Sequence, residues 1–419
     1  MSGSGNNREH ARTPEMKLFH ESWSTKRQRT ASRLGYSTMP KTPYTQNIFA
    51  ERYREFKVVS KGKSTAEVLE SSSYRPSFKS SFFDQCFTKT EVLGRGDFGE
   101  VVSVISKDTS AASAVKRQLR PYRSEYDRLA AFREVRNLEL LPDHPNLLHL
   151  ELAWEEHGRM YIQTELCVGN LDQYSKVHEV SELEVAFIFR DVLKALEALH
   201  EKRLIHYDVK PENILISPDG CCKLGDYGLV FDLSQDEGRQ YHEGDNRYLD
   251  SAVLNSDPTP SSDIFSLGLT ILELATDLFL PGNGERWEDL RHGILPEEFL
   301  TNLSPEIHST IVKMLQRDPP SRPTATALLA EPFLKQLNYV ERPQFKPLPP
   351  RPPMSETSPL TTRRSKRPRS QNGESPTYRS PLRPRSPPSR STEAPPTPTR
   401  LRKRKLRCRP LDWSLFDRD

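Results

Sequence analysis

Charge and proline divide this chain into three segments, of which only the central one is suited to forming a hydrophobic core. Residues 81–340 carry 26 Lys and Arg against 43 Asp and Glu, whereas residues 1–80 carry 15 against 7 and residues 341–419 carry 20 against 7. The last segment also holds 17 of the 35 prolines, and such a segment cannot bury enough apolar surface to offset the entropy lost on ordering. We therefore expect a folded domain at 81–337, between a disordered basic N-terminal region (1–80) and a disordered Pro-rich basic tail (338–419).

The composition argues against membrane-spanning and secreted proteins. No run of about 18 apolar residues occurs, so we expect no transmembrane helix. The first residues, MSGSGNNREHAR, contain no apolar core, so we expect no secretory signal. The five cysteines show no metal-ligand spacing and are typical of reduced thiols in an intracellular protein: Cys86, Cys167, Cys221, Cys222 and Cys408.

The spacing of apolar residues in the central segment changes from strand-like to helix-like along the chain. Residues 91–105 alternate and break at glycines, which predicts a hairpin. Residues 126–141 and 183–200 repeat apolar side chains at helical spacing, and residues 263–275, apolar on nearly every side, predict a buried helix. Strands first and helices later indicate an α+β fold with a β-rich lobe followed by an α-rich lobe.

A glycine-rich stretch lies in the predicted hairpin. Gly94, Gly96 and Gly99 form the pattern G-x-G-x-x-G, followed by Val101. Glycines allow backbone N–H groups to approach phosphates without obstruction by side chains. A dinucleotide-binding site requires a helix directly after this pattern, whereas residues 101–105 continue as a strand. The pattern therefore favours a phosphate-binding hairpin.

Lys116 follows apolar residues of a predicted strand, 17 residues after Gly99. A lysine buried there requires phosphates and a carboxylate to balance its charge. The following helix offers Glu134 as that carboxylate, with Glu125 and Glu139 as competitors. Taken alone, Lys116 fits better as a surface lysine that extends its stem over apolar atoms.

The most specific pattern in the chain is residues 206–213, His-Tyr-Asp-Val-Lys-Pro-Glu-Asn. Asp208 can orient a substrate hydroxyl and accept its proton, Lys210 can neutralise charge on a moving phosphoryl group, and Asn213 can hold Mg²⁺. Asp226, in Asp-Tyr-Gly 18 residues after Asp208, can bind the second metal position. Each residue alone also suits a turn or a helix cap, but the elements in this order indicate phosphoryl transfer.

Together these elements resemble a eukaryotic protein kinase over residues 82–336, which implies the two-lobed kinase fold, ATP as phosphoryl donor and Mg²⁺. A further resemblance is to the Wee/Myt family of cell-cycle inhibitory kinases, carried by QTELC (163–167), CKLGD (222–226) and EGDNRY (243–248). Three more stretches resemble the membrane-associated tyrosine- and threonine-specific branch of that family: SFFDQCF (81–87), FSLGLTILE (265–273) and GILPEEF (293–299).

The resemblance implies an activity, a partner and residue roles. That branch phosphorylates an adjacent threonine and tyrosine in the glycine loop of the cyclin-bound mitotic cyclin-dependent kinase, and so delays mitotic entry. Lys116 and Glu134 would form the ion pair of the small lobe, and Asp263 would hold the catalytic loop. The residues expected around adenine are Leu93, Val101 and Ala114, the gatekeeper Thr164, and Glu165 and Cys167 of the hinge.

Three positions depart from the kinase pattern. Tyr207 replaces an arginine that pairs with an activation-loop phosphate, so we expect activity without that phosphorylation. Tyr227 replaces a phenylalanine, a mild change. Asp250 begins Asp-Ser-Ala where kinases have Ala-Pro-Glu, whose glutamate pairs with an arginine that resembles Arg322 here. Because a buried unpaired arginine is unfavourable, Asp250 or water is expected to take the place of that glutamate.

The C-terminal tail carries several short motifs. Basic clusters at 363–369 and 402–407 favour nuclear import first, attraction to anionic lipid second and nucleic-acid binding last. Residues 404–406 (Arg-Lys-Leu) fit the short R-x-L pattern of cyclin docking, and the Pro-rich residues 344–353 suit an SH3-like groove or a spacer. Five sites preceding proline indicate regulation by phosphorylation: Ser358, Ser375, Ser380, Ser386 and Thr397.

Alternatives stay open for both activity and location. The loop at 210–213 is of the serine/threonine type, so a general serine/threonine kinase with another substrate is one alternative. The departure at 250–252 motivates a second alternative, a pseudokinase scaffold. We expect the protein in nucleus and cytoplasm, and the alternative is peripheral association with endoplasmic reticulum or Golgi membranes.

Overall fold

The computed structural model of this chain describes residues 53–350, apart from residues 71, 97–98, 236–243, 255, 277 and 296–299. The basic clusters, the Arg-Lys-Leu motif and the proline-directed sites of the C-terminal tail lie outside the described residues, as do residues 1–52.

An antiparallel sheet of six strands forms the small lobe, residues 53–165. The strand order is β1-β5-β6-β4-β3-β2, so that β4 pairs with β6 rather than with β5, and β1 pairs with β5 at the far edge. The strands are β1 (Lys57–Val58), β2 (Phe87–Arg95), β3 (Gly99–Ser106), β4 (Ala112–Gln118), β5 (Leu150–Glu156) and β6 (Arg159–Glu165). Three helices accompany them: α1 (Thr65–Glu70), α2 (Phe82–Cys86) and α3 (Glu125–Leu140).

The large lobe, residues 168–350, is mainly helical and is built around two long helices. Its helices are α4 (Leu171–Val177), α5 (Glu182–Glu201), α6 (Pro260–Thr276), α7 (Glu285–Arg291), α8 (Pro305–Met314), α9 (Ala325–Leu329) and α10 (Pro332–Gln336). Short strands pair as β7 (Gly169–Asn170) with β9 (Ile214–Ile216), β9 with β10 (Cys222–Leu224), and β8 (Leu204–Ile205) with β11 (Phe231–Asp232). The predicted α+β fold in two lobes is confirmed.

The helix boundaries follow from capping residues and from apolar faces. Ser181 caps α5, because its hydroxyl accepts the N–H of Glu184 while the Glu184 carboxylate accepts the N–H of Ser181. Asn170 and Gln173 cap α4 in the same reciprocal way. Helix α6 buries nearly every side chain from Ser262 to Thr276, as its sequence predicts. No helix in the described part of the chain is both long and apolar enough to cross a membrane.

The predicted disordered region 1–80 is wrong for residues 53–80. Strand β1 pairs with β5, so the segment extends the sheet. Phe56, Val58 and Val68 are buried in a small-lobe cluster with Trp154, and the Phe56 and Phe82 rings lie 4.3 Å apart. A strand of two residues and scattered aromatics give no periodic pattern, so the sequence does not indicate that the folded domain begins before residue 81.

The predicted end of the folded domain at residue 337 is also too early. Residues 341–350 have no regular secondary structure, yet they contact the large lobe. Arg342 binds the buried Asp191 with two hydrogen bonds of 2.7 and 2.8 Å, and Phe345 packs on Tyr174. A single arginine among prolines carries no sequence pattern of a folded segment, so composition alone assigned it to the tail.

Candidate active site

The glycine-rich turn joins β2 to β3 and leaves space above its backbone. Gly94 pairs with Val101, and the N–H of Gly96 donates to the carbonyl oxygen of Gly99 at 2.9 Å. A Cβ atom added at Gly94 or Gly96 would meet no atom of the described residues within 4 Å, whereas one at Gly99 would lie 2.7 Å from the carbonyl oxygen of Arg117. Strand β4 therefore requires glycine at position 99, and the first two glycines leave room for a ligand.

Lys116 on β4 pairs with Glu134 on α3. Its Nζ lies 2.5 Å from Glu134 Oε1 and 3.6 Å from Asp226 Oδ1. Burial alone lowers the pKa of Lys116, but the charges of Glu134 and Asp226 outweigh it and raise the pKa above its usual value. Lys116 is therefore a cation held between two carboxylates.

The two competing carboxylates of α3 bind the N-terminal segment instead. Glu125 accepts a hydrogen bond from the Tyr53 hydroxyl at 3.0 Å, and Glu139 accepts the backbone N–H of Lys61. Among the three carboxylates that the sequence offered, Glu134 is thus the one that reaches Lys116. The N-terminal segment contacts both ends of α3, the helix that carries Glu134.

Asp226 lies at a strained turn after β10. Its φ of 61° and ψ of 79° are left-handed, a conformation that non-glycine residues adopt rarely and that is frequent at functional sites. The pKa of Asp226 lies below its usual range, mainly because the positive charge of Lys116 favours the ionised carboxylate. The next residue, Tyr227, anchors the turn. Its hydroxyl accepts the N–H of Leu148 at 3.1 Å, and the backbone carbonyl of Tyr227 accepts an N–H of the Asn137 side chain at 2.8 Å.

The Asp208 carboxylate accepts hydrogen bonds from three directions. Lys210 Nζ donates to its Oδ2 at 2.7 Å, and Asn213 Nδ2 donates to the same oxygen at 2.8 Å. The backbone N–H of Asp245, in the segment after residue 243, donates to Oδ1 at 3.1 Å. This network orients a buried carboxylate and brings the cation of Lys210 beside it.

Asp263 on α6 holds the loop that carries Asp208. Its fully buried carboxylate accepts the N–H groups of His206 and Tyr207 at 2.9 and 2.8 Å, and His200 Nε2 lies 2.9 Å away. Burial lowers the pKa of His206, which as a neutral ring accepts the Asp208 N–H at Nδ1 and donates Nε2–H to the Gly225 carbonyl. The catalytic loop is therefore fixed from the buried helix behind it.

A cavity of about 280 Å³ lies beside the glycine-rich turn. Ala114 pairs with Thr164 across β4 and β6, and Cys167 follows them at the hinge, where burial raises the pKa of its thiol to about 12. The predicted site residues that line this cavity are Leu93, Gly94, Val101, Ala114, Lys116, Glu134, Thr164, Glu165, Cys167, Asn213 and Asp226.

Four predicted residues do not line the cavity: Gly96, Gly99, Asp208 and Lys210. Asp208 and Lys210 connect to it through Asn213. Sequence reasoning missed several lining residues, including Leu148, Gly169, Gln173 and Leu215. Leu215 lies in β9 two residues after Asn213, so the alternation of side chains along a strand could have predicted that it faces the cavity. The sequence around Leu148 and Gly169 carries no such pattern.

The departures from the kinase pattern are accommodated by packing. The Arg322 guanidinium pairs with the Asp250 carboxylate. Of the two partners expected for Arg322 in place of the missing glutamate, Asp250 and water, the structure thus shows Asp250. Tyr207 is buried in an apolar cluster with Ile205, Phe231, Leu249 and Val253. Position 207 therefore places an aromatic ring, where the kinase pattern has an arginine, in one cluster with Leu249.

The residues of the cavity fit a nucleotide and a divalent cation. Apolar side chains line the part near the hinge, and Lys116 provides a cation near the glycine-rich turn. Asp226 and Asn213 present carboxylate and amide oxygens to the same cavity, and such hard oxygen ligands suit Mg²⁺. The open space above Gly94 and Gly96 can accept phosphates.

Comparisons with known proteins agree with this geometry. The protein kinase domain family matches residues 87–334. The chain is 42% identical over 320 residues to the membrane-associated tyrosine- and threonine-specific cdc2-inhibitory kinase wee-1.3 of Caenorhabditis elegans, covering 75% of this chain and 47% of that protein. It is 42% identical over 259 residues to the Drosophila melanogaster membrane-associated tyrosine- and threonine-specific cdc2-inhibitory kinase, covering 61% and 49%.

A Wee1-like protein kinase of Arabidopsis thaliana is 35% identical over 255 residues, covering 60% of this chain and 50% of that protein. The chain thus spans about half the length of the curated relatives it matches. The family match covers more than half of the chain, and the relatives bear the names of Wee-type kinases. The chain therefore belongs to the protein kinase family, among relatives of the Wee type.

Proposed function

We propose that this chain transfers the γ-phosphoryl group of ATP to the adjacent threonine and tyrosine in the glycine loop of a cyclin-bound mitotic cyclin-dependent kinase, and so restrains mitotic entry. The observation that carries the proposal is a group of four side chains at or beside one cavity, in which Lys116 pairs with Asp226 and Asn213 donates to Asp208. The names of the relatives support the choice of protein substrate.

The residues that bind the nucleotide follow from the cavity. Leu93, Val101 and Ala114 would enclose the adenine ring, with Thr164 as gatekeeper and the backbone at Glu165 and Cys167 contacting its edge. The backbone of Gly94, Gly96 and Gly99 would cradle the phosphates, and Lys116, held by Glu134, would pair with them. Asn213 and Asp226 would hold Mg²⁺, which would offset the negative charge of the phosphates of ATP, the donor of the phosphoryl group.

Catalysis here depends on positioning and on charge. Asp208 would accept the proton of the substrate hydroxyl, because hydrogen bonds from Lys210, Asn213 and Asp245 fix the direction of its carboxylate. Lys210, 2.7 Å from Asp208, would stabilise the negative charge that develops on the transferred group. Asp263 keeps this loop in place during the transfer.

The test is incubation of the full chain with ATP, Mg²⁺ and a catalytically inactive cyclin-bound mitotic kinase, followed by mapping of the phosphate. We expect phosphate on the adjacent threonine and tyrosine of the glycine loop, and none with Asp208→Asn. Labelling only elsewhere would favour the general serine/threonine kinase. ATP binding without transfer to any substrate would favour the pseudokinase scaffold.

Location forms a separate part of the proposal. We infer that the protein is shared between nucleus and cytoplasm, with the basic tail as import sequence and residues 404–406 as a cyclin-docking motif. The names of two relatives describe membrane-associated kinases, which favours peripheral association with endoplasmic reticulum or Golgi membranes as the alternative. Cell fractionation decides between them, since sedimentation of most of the protein with endoplasmic reticulum or Golgi membranes would contradict the first.

A further inference from the structure

Residues 342–348 run along the large lobe after the last helix, and we call this segment the strap. It contains part of the Pro-rich stretch 344–353, for which the sequence suggested an SH3-like partner or a spacer. The strap contacts α5 first, then α4, and ends beside Gly169 at the cavity. These contacts lie beyond residue 334, where the match to the protein kinase family ends.

The strap begins at an ion pair in the interior of the large lobe. Arg342 donates to both carboxylate oxygens of Asp191, at 2.7 and 2.8 Å, and to the carbonyl oxygen of Gly220 at 3.1 Å. Asp191 is 1% exposed, and it also accepts a hydrogen bond from the backbone N–H of Cys222. A buried carboxylate requires a countercharge, so Arg342 fixes the start of the strap.

The middle of the strap covers Tyr174 of α4. The Phe345 ring meets the Tyr174 ring edge to face, with centroids 5.0 Å apart, and the N–H of Lys346 donates to the Tyr174 hydroxyl at 3.3 Å. That hydroxyl donates in turn to Glu184, the capping residue of α5, at 2.8 Å. The carbonyl of Pro347 accepts His178 Nε2–H at 2.9 Å. Side-chain and backbone contacts together define the path of the strap.

The end of the strap supports a wall of the nucleotide cavity. A Cβ atom added at Gly169 would overlap Leu348 Cδ1 and lie 3.0 Å from Gln173 Oε1. Gly169 and Gln173 both line the cavity, so Leu348 packs directly behind its lining. Leu348 itself is partly buried against the main hydrophobic core.

We propose that the strap is an intrachain support of the nucleotide site, with Leu348 as a positioning residue for ATP. The partner of this part of the Pro-rich stretch is then the large lobe of the same chain. The inference rests on the proposed function, because it requires that the cavity binds a nucleotide. It adds that a segment beyond the residues matched by the protein kinase domain family tunes nucleotide affinity, so that release of the strap weakens ATP binding.

The experiment measures the dissociation constant of MgATP for the full chain by isothermal titration calorimetry. Leu348→Ala removes the support behind Gly169, and we expect binding to weaken roughly threefold or more, within the usual range for coupled contacts. Gly169→Ala displaces Leu348 and should weaken binding too. Tyr339→Ala, at a residue 79% exposed just before the strap, is the matched control and should bind as wild type does.

The double variant Gly169→Ala with Leu348→Ala tests whether the two residues act through one contact. Its added Cβ has no leucine to displace, so we expect no further weakening beyond Leu348→Ala alone. Additive effects, or wild-type affinity in Leu348→Ala, would overturn the proposal. Leu348→Met should restore most of the affinity, which separates support of the cavity from a general folding defect.

The wild-type titration distinguishes the two levels of the argument. If wild-type protein does not bind MgATP, the proposed function fails. If wild-type protein binds MgATP and Leu348→Ala binds it equally well, the strap is a structural segment without influence on the nucleotide, and only this further inference fails.

Discussion

Asp250 and Arg322 form an ion pair in which the two side chains are 1% and 0% exposed, although 72 residues separate them in the sequence. Arg322 also donates to the carbonyl oxygens of Gln316 and Ser261 at 2.7 and 3.1 Å. Its guanidinium lies 4.7 Å from the centre of the Phe265 ring. The pair therefore ties the residues after the activation segment to α6 and to the turn after α8.

Asp250→Ala should strongly destabilise the protein. It leaves the Arg322 charge buried without a carboxylate, and breaking a buried pair in this way costs about 3–5 kcal/mol. Chemical denaturation of the full chain measures the change. The control is Asp289→Ala in the exposed ion pair with Arg286, where we expect a loss of about 0.5 kcal/mol or less. Equal losses in the two variants would contradict the role of burial.

Activity should not depend on phosphorylation of the activation segment. Tyr207 is buried in an apolar cluster, and a tyrosine at this position carries no positive charge to bind a phosphate. Phosphatase treatment should leave the transfer rate unchanged. Tyr207→Arg should lower stability and activity because it buries a charge among Ile205, Phe231 and Leu249. A large loss of activity after phosphatase treatment would refute this.

Arg128→Met should loosen α3 from the small lobe. Arg128 donates to both oxygens of the buried Glu155 at 2.7 and 3.1 Å, and its guanidinium lies 4.3 Å from the centre of the Tyr53 ring. The variant leaves the Glu155 carboxylate without that cation, at a cost of about 3 kcal/mol. Because α3 carries Glu134, phosphoryl transfer should fall as well. Lys176→Met, which removes an exposed pair with Asp172, should leave stability nearly unchanged.

Stability should depend on pH through Glu156. Burial raises the pKa of Glu156 to about 7 from an ordinary value of 4.5. Between these values the native protein binds more protons than the unfolded chain, so this group makes the protein less stable as pH rises. Glu156→Gln removes the effect and should gain stability relative to wild type from about pH 5 to about pH 8. The measurement is thermal unfolding of both proteins across that range. A difference in unfolding temperature between Glu156→Gln and wild type that does not change with pH would contradict this prediction.

Asp208→Asn should abolish transfer while ATP still binds. Asparagine keeps the size of the side chain but cannot accept the proton of the substrate hydroxyl, and a positioned base contributes roughly 10²–10⁴-fold. Asp208 is not part of the lining of the cavity, so the MgATP dissociation constant should change little. Lys116→Met should weaken ATP binding instead. Near-full transfer by Asp208→Asn would disprove the assignment of the base.

The residues near Asp208 could be predicted from the sequence because their order is local. Asp208, Lys210 and Asn213 lie within six positions, and the short loop that joins them brings their side chains together. For Lys116 the sequence offers three carboxylates as partners. Two of them, Glu125 and Glu139, are bound instead by Tyr53 and Lys61, which lie far away in the sequence. Local order therefore predicted the catalytic loop, while tertiary contacts decided the ion pair.

The extent of the folded domain could not be predicted in the same way. Strand β1 has two residues, and its stability comes from pairing with β5 and from Phe56 and Val58 in the small-lobe cluster. The contact between Leu348 and Gly169 joins segments 179 positions apart and leaves no pattern in either. Composition describes the average tendency of a segment, whereas one buried arginine or leucine can hold it to a lobe.

The Cys167 thiol at the hinge determines which chemistry can address this cavity. Burial raises the pKa of this thiol to about 12, so little of it is ionised at neutral pH, and the thiolate is the nucleophile that electrophilic inhibitors require. An acrylamide carried to the hinge by an adenine-like scaffold should therefore react slowly with Cys167. Inhibitors directed at Cys167 therefore have to gain their residence time from reversible contacts with the cavity walls rather than from a bond to this thiol.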